Sequence, residues 1–203
     1  MSSTATPYGA RPVGTLSASG SFTGKTTPIP IASAYGTQIS LGDFVSLTVT
    51  GTVQKETGTT TMGATLIGIF MGCSYTDPNS GQITHSNYWP ASTVASDAVA
   101  YVLDDPNVVF MMQADDTLGQ NTLHSNVGVV VTAGNTTHGH SKNAIDASDA
   151  AATETLPLRI VGFVDGPDSA VGDAYTDVLC VFNGYHLLLS RYAATIGTGV
   201  ALS

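Results

Sequence analysis

Apolar residues in this chain come in bursts of four to eight, closed by glycine, proline, asparagine, aspartate or serine, and long runs at helical spacing are almost absent. A burst of that length matches one strand and is too short for the apolar stripe of a stable helix. The pattern predicts an all-β domain of roughly nine to twelve short, mostly antiparallel strands. Periodicity fixes which face a residue takes and not the order of strands in a sheet, so a β-barrel and a β-sandwich both fit.

The bursts can be placed along the chain. Residues 44–50 alternate, with Phe44, Ser46 and Thr48 on one side and Val45, Leu47 and Val49 on the other; Thr50-Gly51 turns them back into 52–56. Residues 64–72 make a glycine-flanked apolar strand suited to burial. Asp77-Pro78-Asn79-Ser80-Gly81 is a turn by its chemistry: proline fixes φ, asparagine and serine bond nearby backbone, and glycine supplies positive φ. Residues 82–89 return from it. Residues 98–103 and 108–114, joined by Asp104-Asp105-Pro106-Asn107, read as a second hairpin. Residues 115–126 suit a loop or one helical turn, 127–132 a strand, and 146–154 a short helix in a long polar stretch. Residues 156–164 form a strand whose Pro157 belongs at its start or at an edge. Residues 176–182 set Val178, Cys180 and Phe182 against Leu179 and Val181, and Asn183-Gly184 is the type I′ hairpin signal before 185–190. Segments 67–72 and 161–166 share a glycine-flanked aromatic pattern, as two similarly used strands of one fold would.

Charge narrows the partners. The chain holds 6 Lys or Arg against 15 Asp or Glu, a net charge of -9. A phosphate backbone needs a basic patch to displace its counterions, and an anionic membrane surface needs one too. Nucleic acid and membrane are therefore not expected partners. No apolar run approaches the roughly 18 residues of a membrane helix, and Met1 to Arg11 lacks the charged and apolar regions of a signal peptide. Cys73 and Cys180 stand 107 positions apart, which fits buried free thiols better than a disulfide framework or a zinc site.

Catalytic signals are weak. In a strand, His138 and His140 would share a face and could grip a metal. The segment is rich in Gly and Thr, however, and no third ligand stands at a defined spacing, so solvent-facing loop histidines are the plainer reading. Asp104-Asp105, Asp115-Asp116 and the set Asp165, Asp168 and Asp173 offer oxygens to a hard cation. None has the spacing of a high-affinity loop, and turn chemistry accounts for them. There is no Gly-x-Ser-x-Gly elbow and no phosphate-cradling glycine loop, and the only glutamates, Glu56 and Glu154, sit in loop-like flanks. The chain is expected to be no enzyme, with no cofactor and no bound metal; a metal-dependent hydrolase built on His138 and His140 is a distant alternative.

The ends differ from the middle. Residues 1–21 are small, polar and proline-punctuated, and read as an extended N-terminal arm that orders only against a partner. Residues 22–190 form the β-rich domain and 191–203 a C-terminal arm. An aromatic and an arginine on an arm have no core to enter, so Tyr8 and Arg11, with Pro12, are candidate partner-binding residues, as is Arg191 at the start of the other arm. Tyr88 and Trp89 join them: an aromatic pair beside proline makes a sugar platform or protein anchor when exposed, although core packing is its commoner use. No cation falls in the 86 residues between Lys55 and Lys142. Arg11, Lys25 and Arg191 lie toward the ends, which assigns the ends to neighbours and the acidic body to solvent.

Several stretches resemble the small head structural proteins of tailed bacteriophages, marine podovirus-like phages in particular, which serve as capsid decoration or cement proteins. They are Gly9-Ala10-Arg11-Pro12-Val13, Pro30-Ile31-Ala32-Ser33-Ala34-Tyr35-Gly36, Gly42-Asp43-Phe44-Val45 and Gly68-Ile69-Phe70-Met71-Gly72-Cys73-Ser74-Tyr75-Thr76-Asp77. Further on come Ser86-Asn87-Tyr88-Trp89-Pro90, Ala98-Val99-Ala100-Tyr101-Val102, Asp104-Asp105-Pro106 and Leu156-Pro157-Leu158-Arg159-Ile160-Val161-Gly162. None is a catalytic motif. The resemblance implies a β-rich protein on the outer surface of the virion capsid. It would bind the major capsid protein, associate with other copies of itself on the shell, and stiffen the head against its packed genome. A carbohydrate- or receptor-binding module of a phage fibre or adhesin is the second expectation, motivated by Tyr88, Trp89 and the Asp-rich turns.

Overall fold

The structure, a computed structural model, describes residues 4–16, 24–58, 66–153 and 155–183. Within them the short bursts become twelve strands: β1 (Arg11–Thr15), β2 (Thr27–Pro30), β3 (Phe44–Leu47), β4 (Val53–Lys55), β5 (Leu66–Thr76), β6 (Ile83–Ser86), β7 (Val99–Leu103), β8 (Val108–Gln113), β9 (Asn126–Val130), β10 (Ala144–Ala151), β11 (Leu158–Phe163) and β12 (Asp177–Phe182). They form two six-stranded sheets. The first runs β1-β8-β12-β11-β9-β10; the second runs β2-β7-β5-β3-β4, with β6 beside β5. Every pairing of these strands is antiparallel. Both sheets keep open edges, so the molecule is a sandwich and not a closed barrel. No α-helix occurs among the described residues; the stretch 115–126 holds a single 3-10 turn at Gln120–Thr122.

The alternation read from the sequence decides what lies between the sheets. Val178, Cys180 and Phe182 of β12 point into the gap and meet Phe44, Leu66 and Ile69 of the second sheet. Phe44 sets its edge against Phe110 at 6.0 Å and Phe182 at 6.2 Å between ring centroids. Burying each such ring contributes roughly 1.5–3 kcal/mol. Cys180 and Cys73 are free buried thiols, as their spacing suggested.

The second sheet is buried on its far face as well. Val45, Ile67, Phe70, Cys73 and Val102 gather there under Ile31, Ile39, Trp89 and Ala95, which come from segments between strands. A strand covered on both faces needs no polar side, which is why residues 64–72 read as a continuous apolar run. The register of β5 slips twice, against β3 near Gly68 and against β7 between Phe70 and Cys73. These extra residues let Leu66 and Ile69 face one cluster while Ile67, Phe70 and Cys73 face the other. The echo strand β11 carries a comparable slip at Gly162.

Three expectations are corrected. Residues 98–103 and 108–114 are not a hairpin: β7 pairs with β2 and β5, β8 with β1 and β12, and Asp104 to Asn107 crosses between sheets. Leu103 and Val108, at its two ends, both enter the inter-sheet core, and the Asp105 carboxylate bonding the Asn107 N–H serves such a crossing as well as a hairpin. The described part of 146–154, residues 146–153, is not a helix; β10 pairs with β9, and Ile145, opposite Val129, enters the core, so pairing overrides the alanine content. Within the stretch 1–21, the described residues 4–16 are not an arm awaiting a partner. Their β1 completes the edge of the first sheet against β8, and Ala10 is buried between the sheets. The Pro-Val-Gly pattern there carries no alternation because the segment is held mainly through its backbone. The strand expected at 185–190 and the arm 191–203, with Arg191, lie outside the described residues.

Candidate functional site

The N-terminal residues singled out from the sequence come together in space. Before β1 the chain is fastened by backbone donors: Thr6 N–H to the Gln113 Oε1 at 2.8 Å, Gly9 N–H to the Asn143 carbonyl at 3.1 Å and Ala10 N–H to the Gly42 carbonyl at 3.0 Å. Gly9 has φ of 74° and lies so close to Ser141 that a methyl group would overlap that side chain. This turn aims Tyr8 at β12, where its hydroxyl donates to Asp177 Oδ1 at 3.0 Å. The Arg11 guanidinium lies over the Tyr8 ring, 4.5 Å from its centroid, in cation–π contact. Tyr8, Arg11 and Pro12, with Ala10, Leu41, Met71 and His140, line a hollow of about 120 Å³ at the sandwich edge.

Electrostatics keeps the Tyr8 phenol protonated. Burial, then the charge of Asp177, pushes the Tyr8 phenol far above its ordinary value, so it stays a donor. Burial also raises the Asp177 carboxyl, while the Tyr8 hydroxyl and the Arg11 charge pull it back down. Arg11 is exposed, and among the described residues no carboxylate lies within 4.0 Å of its nitrogens.

Behind the hollow lies a buried polar knot. Lys55 Nζ sits 3.0 Å from Asp43 Oδ2, with the two side chains 6% and 0% exposed, and also donates to the Thr132 carbonyl at 3.2 Å. Asp43 further accepts the Ser40 N–H at 2.8 Å and the Ser141 hydroxyl at 2.6 Å. Asn143 Oδ1 accepts the Thr132 N–H, and its Nδ2 is buried without a hydrogen-bond partner. A buried pair bonded this fully ties segments far apart in sequence to one geometry. Sequence reading missed it. Its one available signal was alternation, which puts Lys55 on the buried face that Val53 occupies in a three-residue strand.

The other candidates separate. Trp89 is fully buried, edge-on to Tyr75 at 5.3 Å, and its Nε1–H donates to the Tyr35 carbonyl at 3.3 Å. It is a core residue, and its place among the partner-binding candidates is withdrawn. Tyr88 is half-buried against Gly139, where its ring leaves no room for a Cβ. His138 and His140 are exposed in a loop shaped by Asn135, whose Oδ1 accepts the N–H groups of Thr137 and His138. Among the described residues no three His, Cys, Asp or Glu side chains gather closely enough to hold a metal. The Asp-rich segments show local turn bonds, such as Asp116 to the Thr117 N–H and Asp173 to the Ala170 N–H. No helix of the described residues is long and apolar enough to cross a membrane.

No protein-family model, curated protein or solved structure matches the chain.

Proposed function

We propose that this chain is a non-enzymatic virion structural protein: a capsid decoration protein on the outer surface of a tailed-phage head, binding the major capsid protein and bridging its neighbouring copies. The observation that carries the reading is the Tyr8, Arg11 and Pro12 cluster. It sits at one edge of the sandwich with Arg11 exposed over half-buried Tyr8 and Pro12, it is held in a fixed geometry, and Arg11 and Pro12 fall within a stretch that resembles head proteins. Tyrosine and arginine fixed in this way are the side chains that anchor protein interfaces. A net charge of -9 keeps such a protein off the genome and in solvent. Many weak copies on one symmetric shell bind through avidity.

At the β1 and β2 edges attachment runs through side chains rather than strand addition. On the edge strand β2 the Ile31 N–H points inward to the Ala98 carbonyl, so Pro30 and Pro28, one and three positions back, face outward with no N–H to give. On β1, Pro12 and the register shift beside it close that edge as well. The sugar-binding alternative loses one of its three motives, because Trp89 is buried.

Co-sedimentation with assembled heads of the parent phage that lack this chain tests the proposal. Saturable binding that raises the temperature at which heads rupture is the expected result, and heads that neither bind the chain nor gain stability would sink it.

A further inference from the structure

We infer that the hollow at Arg11 is a socket for one carboxylate side chain, a glutamate or aspartate of a partner protein. The inference rests on the shell-binding reading only for the partner's identity. Size excludes most ligands. The hollow encloses about 120 Å³, where sites for small-molecule ligands run from roughly 300 Å³ upward, so it takes a single side chain.

Its chemistry is two-sided. Ala10, Pro12, Leu41 and Met71 line it with apolar atoms that suit an aliphatic stem. Arg11 supplies the charge at the mouth. The cation–π contact with Tyr8 uses the charge of the guanidinium and not its N–H donors, which can make a two-pronged bond to a carboxylate. Tyr8 itself is held by Asp177, so the cation is positioned before any partner arrives. Asp177 already accepts the phenol's hydrogen bond and stands outside ion-pair distance of Arg11. On a chain of net charge -9, this mouth is one of few places where a carboxylate meets a cation. A phosphate group would want several cations converging, and among the described residues His140 is the only other basic side chain lining the hollow.

The test is an NMR titration of the full chain with the acetylated, amidated tripeptide leucyl-glutamyl-leucine, alongside its glutamine counterpart. The expected result is a saturable shift of the Arg11 side-chain N–H, the Met71 methyl and His140, with binding weaker by about tenfold or more for the glutamine peptide and for Arg11→Gln. Arg11 is exposed, so Arg11→Gln should fold normally, and an unchanged amide spectrum away from β1 checks this. Equal binding of the two peptides, an undiminished Arg11→Gln, shifts elsewhere, or no saturable shift would each overturn the inference. Two outcomes tell the readings apart. Heads that bind the chain while the peptides show no charge preference leave the shell reading standing without the socket. A charge-selective socket on a chain that ignores heads leaves the socket without the shell.

Discussion

The two hydrophobic clusters of this sandwich are built from different parts of the chain. Between the sheets, strand meets strand and ring meets ring, with Phe44, Phe110 and Phe182 at the centre. On the far face of the second sheet, strands β3, β5 and β7 meet covering segments that supply Ile31, Ile39, Trp89 and Ala95. Those segments are fastened by a two-way backbone bond between Ile39 and Trp89 and, beside it, by the Asp43–Lys55 knot. The first cluster can open only when the sheets part. The second can open when its cover lifts, which takes less free energy. Each holds one thiol, Cys180 in the first and Cys73 in the second, so the two can be observed separately.

The largest effect should come from the inter-sheet cluster. Phe44→Ala removes the ring that touches both other phenylalanines and should cost about 3–5 kcal/mol in chemical denaturation. Both thiols should then lose protection together; a variant that exposes only one would show that the sheets do not open as a unit. Lys55→Met leaves Asp43 buried without its cation and should cost about 3 kcal/mol, because Ser40 and Ser141 still bond the carboxylate. Cys73 should become reactive in this variant while Cys180 stays protected, and equal exposure of both would erase the distinction between the clusters.

A smaller effect separates the thiols in the unaltered protein. Burial pushes Cys73 up to about 12 and Cys180 higher still, so at pH 8 neither is a thiolate in the closed fold. Labelling with a disulfide reagent then reports opening, and Cys73 should react first; reaction of Cys180 ahead of it would reverse the assignment of the softer cluster. The smallest effect is at the site. Tyr8→Phe keeps the ring under Arg11 but removes the bond to Asp177, and should cost about 1 kcal/mol with both clusters unchanged.

The same contrast explains what could be read in the sequence. The inter-sheet core was legible because it is periodic: Val178, Cys180 and Phe182 alternate, and alternation survives without knowing the neighbour. The far cluster was not. Ile39 and Trp89 face it from irregular segments, where side-chain direction follows no period, so the sequence left the Tyr88-Trp89 pair open between core packing and an exposed anchor, and Trp89 is enclosed. The crossing between β7 and β8 was missed because a turn's residues specify a bend and not the sheet it leads to. At the site, Tyr8, Arg11 and Pro12 were singled out as partner-binding candidates because no core was expected there. They cluster because backbone bonds from Gly9 and Ala10 dock the segment onto the sandwich. Lys55 and Asp43, distant in sequence from Ser141 and Asn143, gave no local sign of a shared knot.

The central claim is that the edge carrying Tyr8 and Arg11 is the face that grips a neighbour. Truncation through residue 20 cannot test it, since that deletes β1 and its contribution to the core. Charge reversal can, because Arg11 and Lys142 are both exposed. Binding of Arg11→Glu and Lys142→Glu to undecorated heads, measured by co-sedimentation across a concentration series, should show a loss of about tenfold or more for the first and little change for the second. Equal losses, or none for Arg11→Glu, would contradict the account.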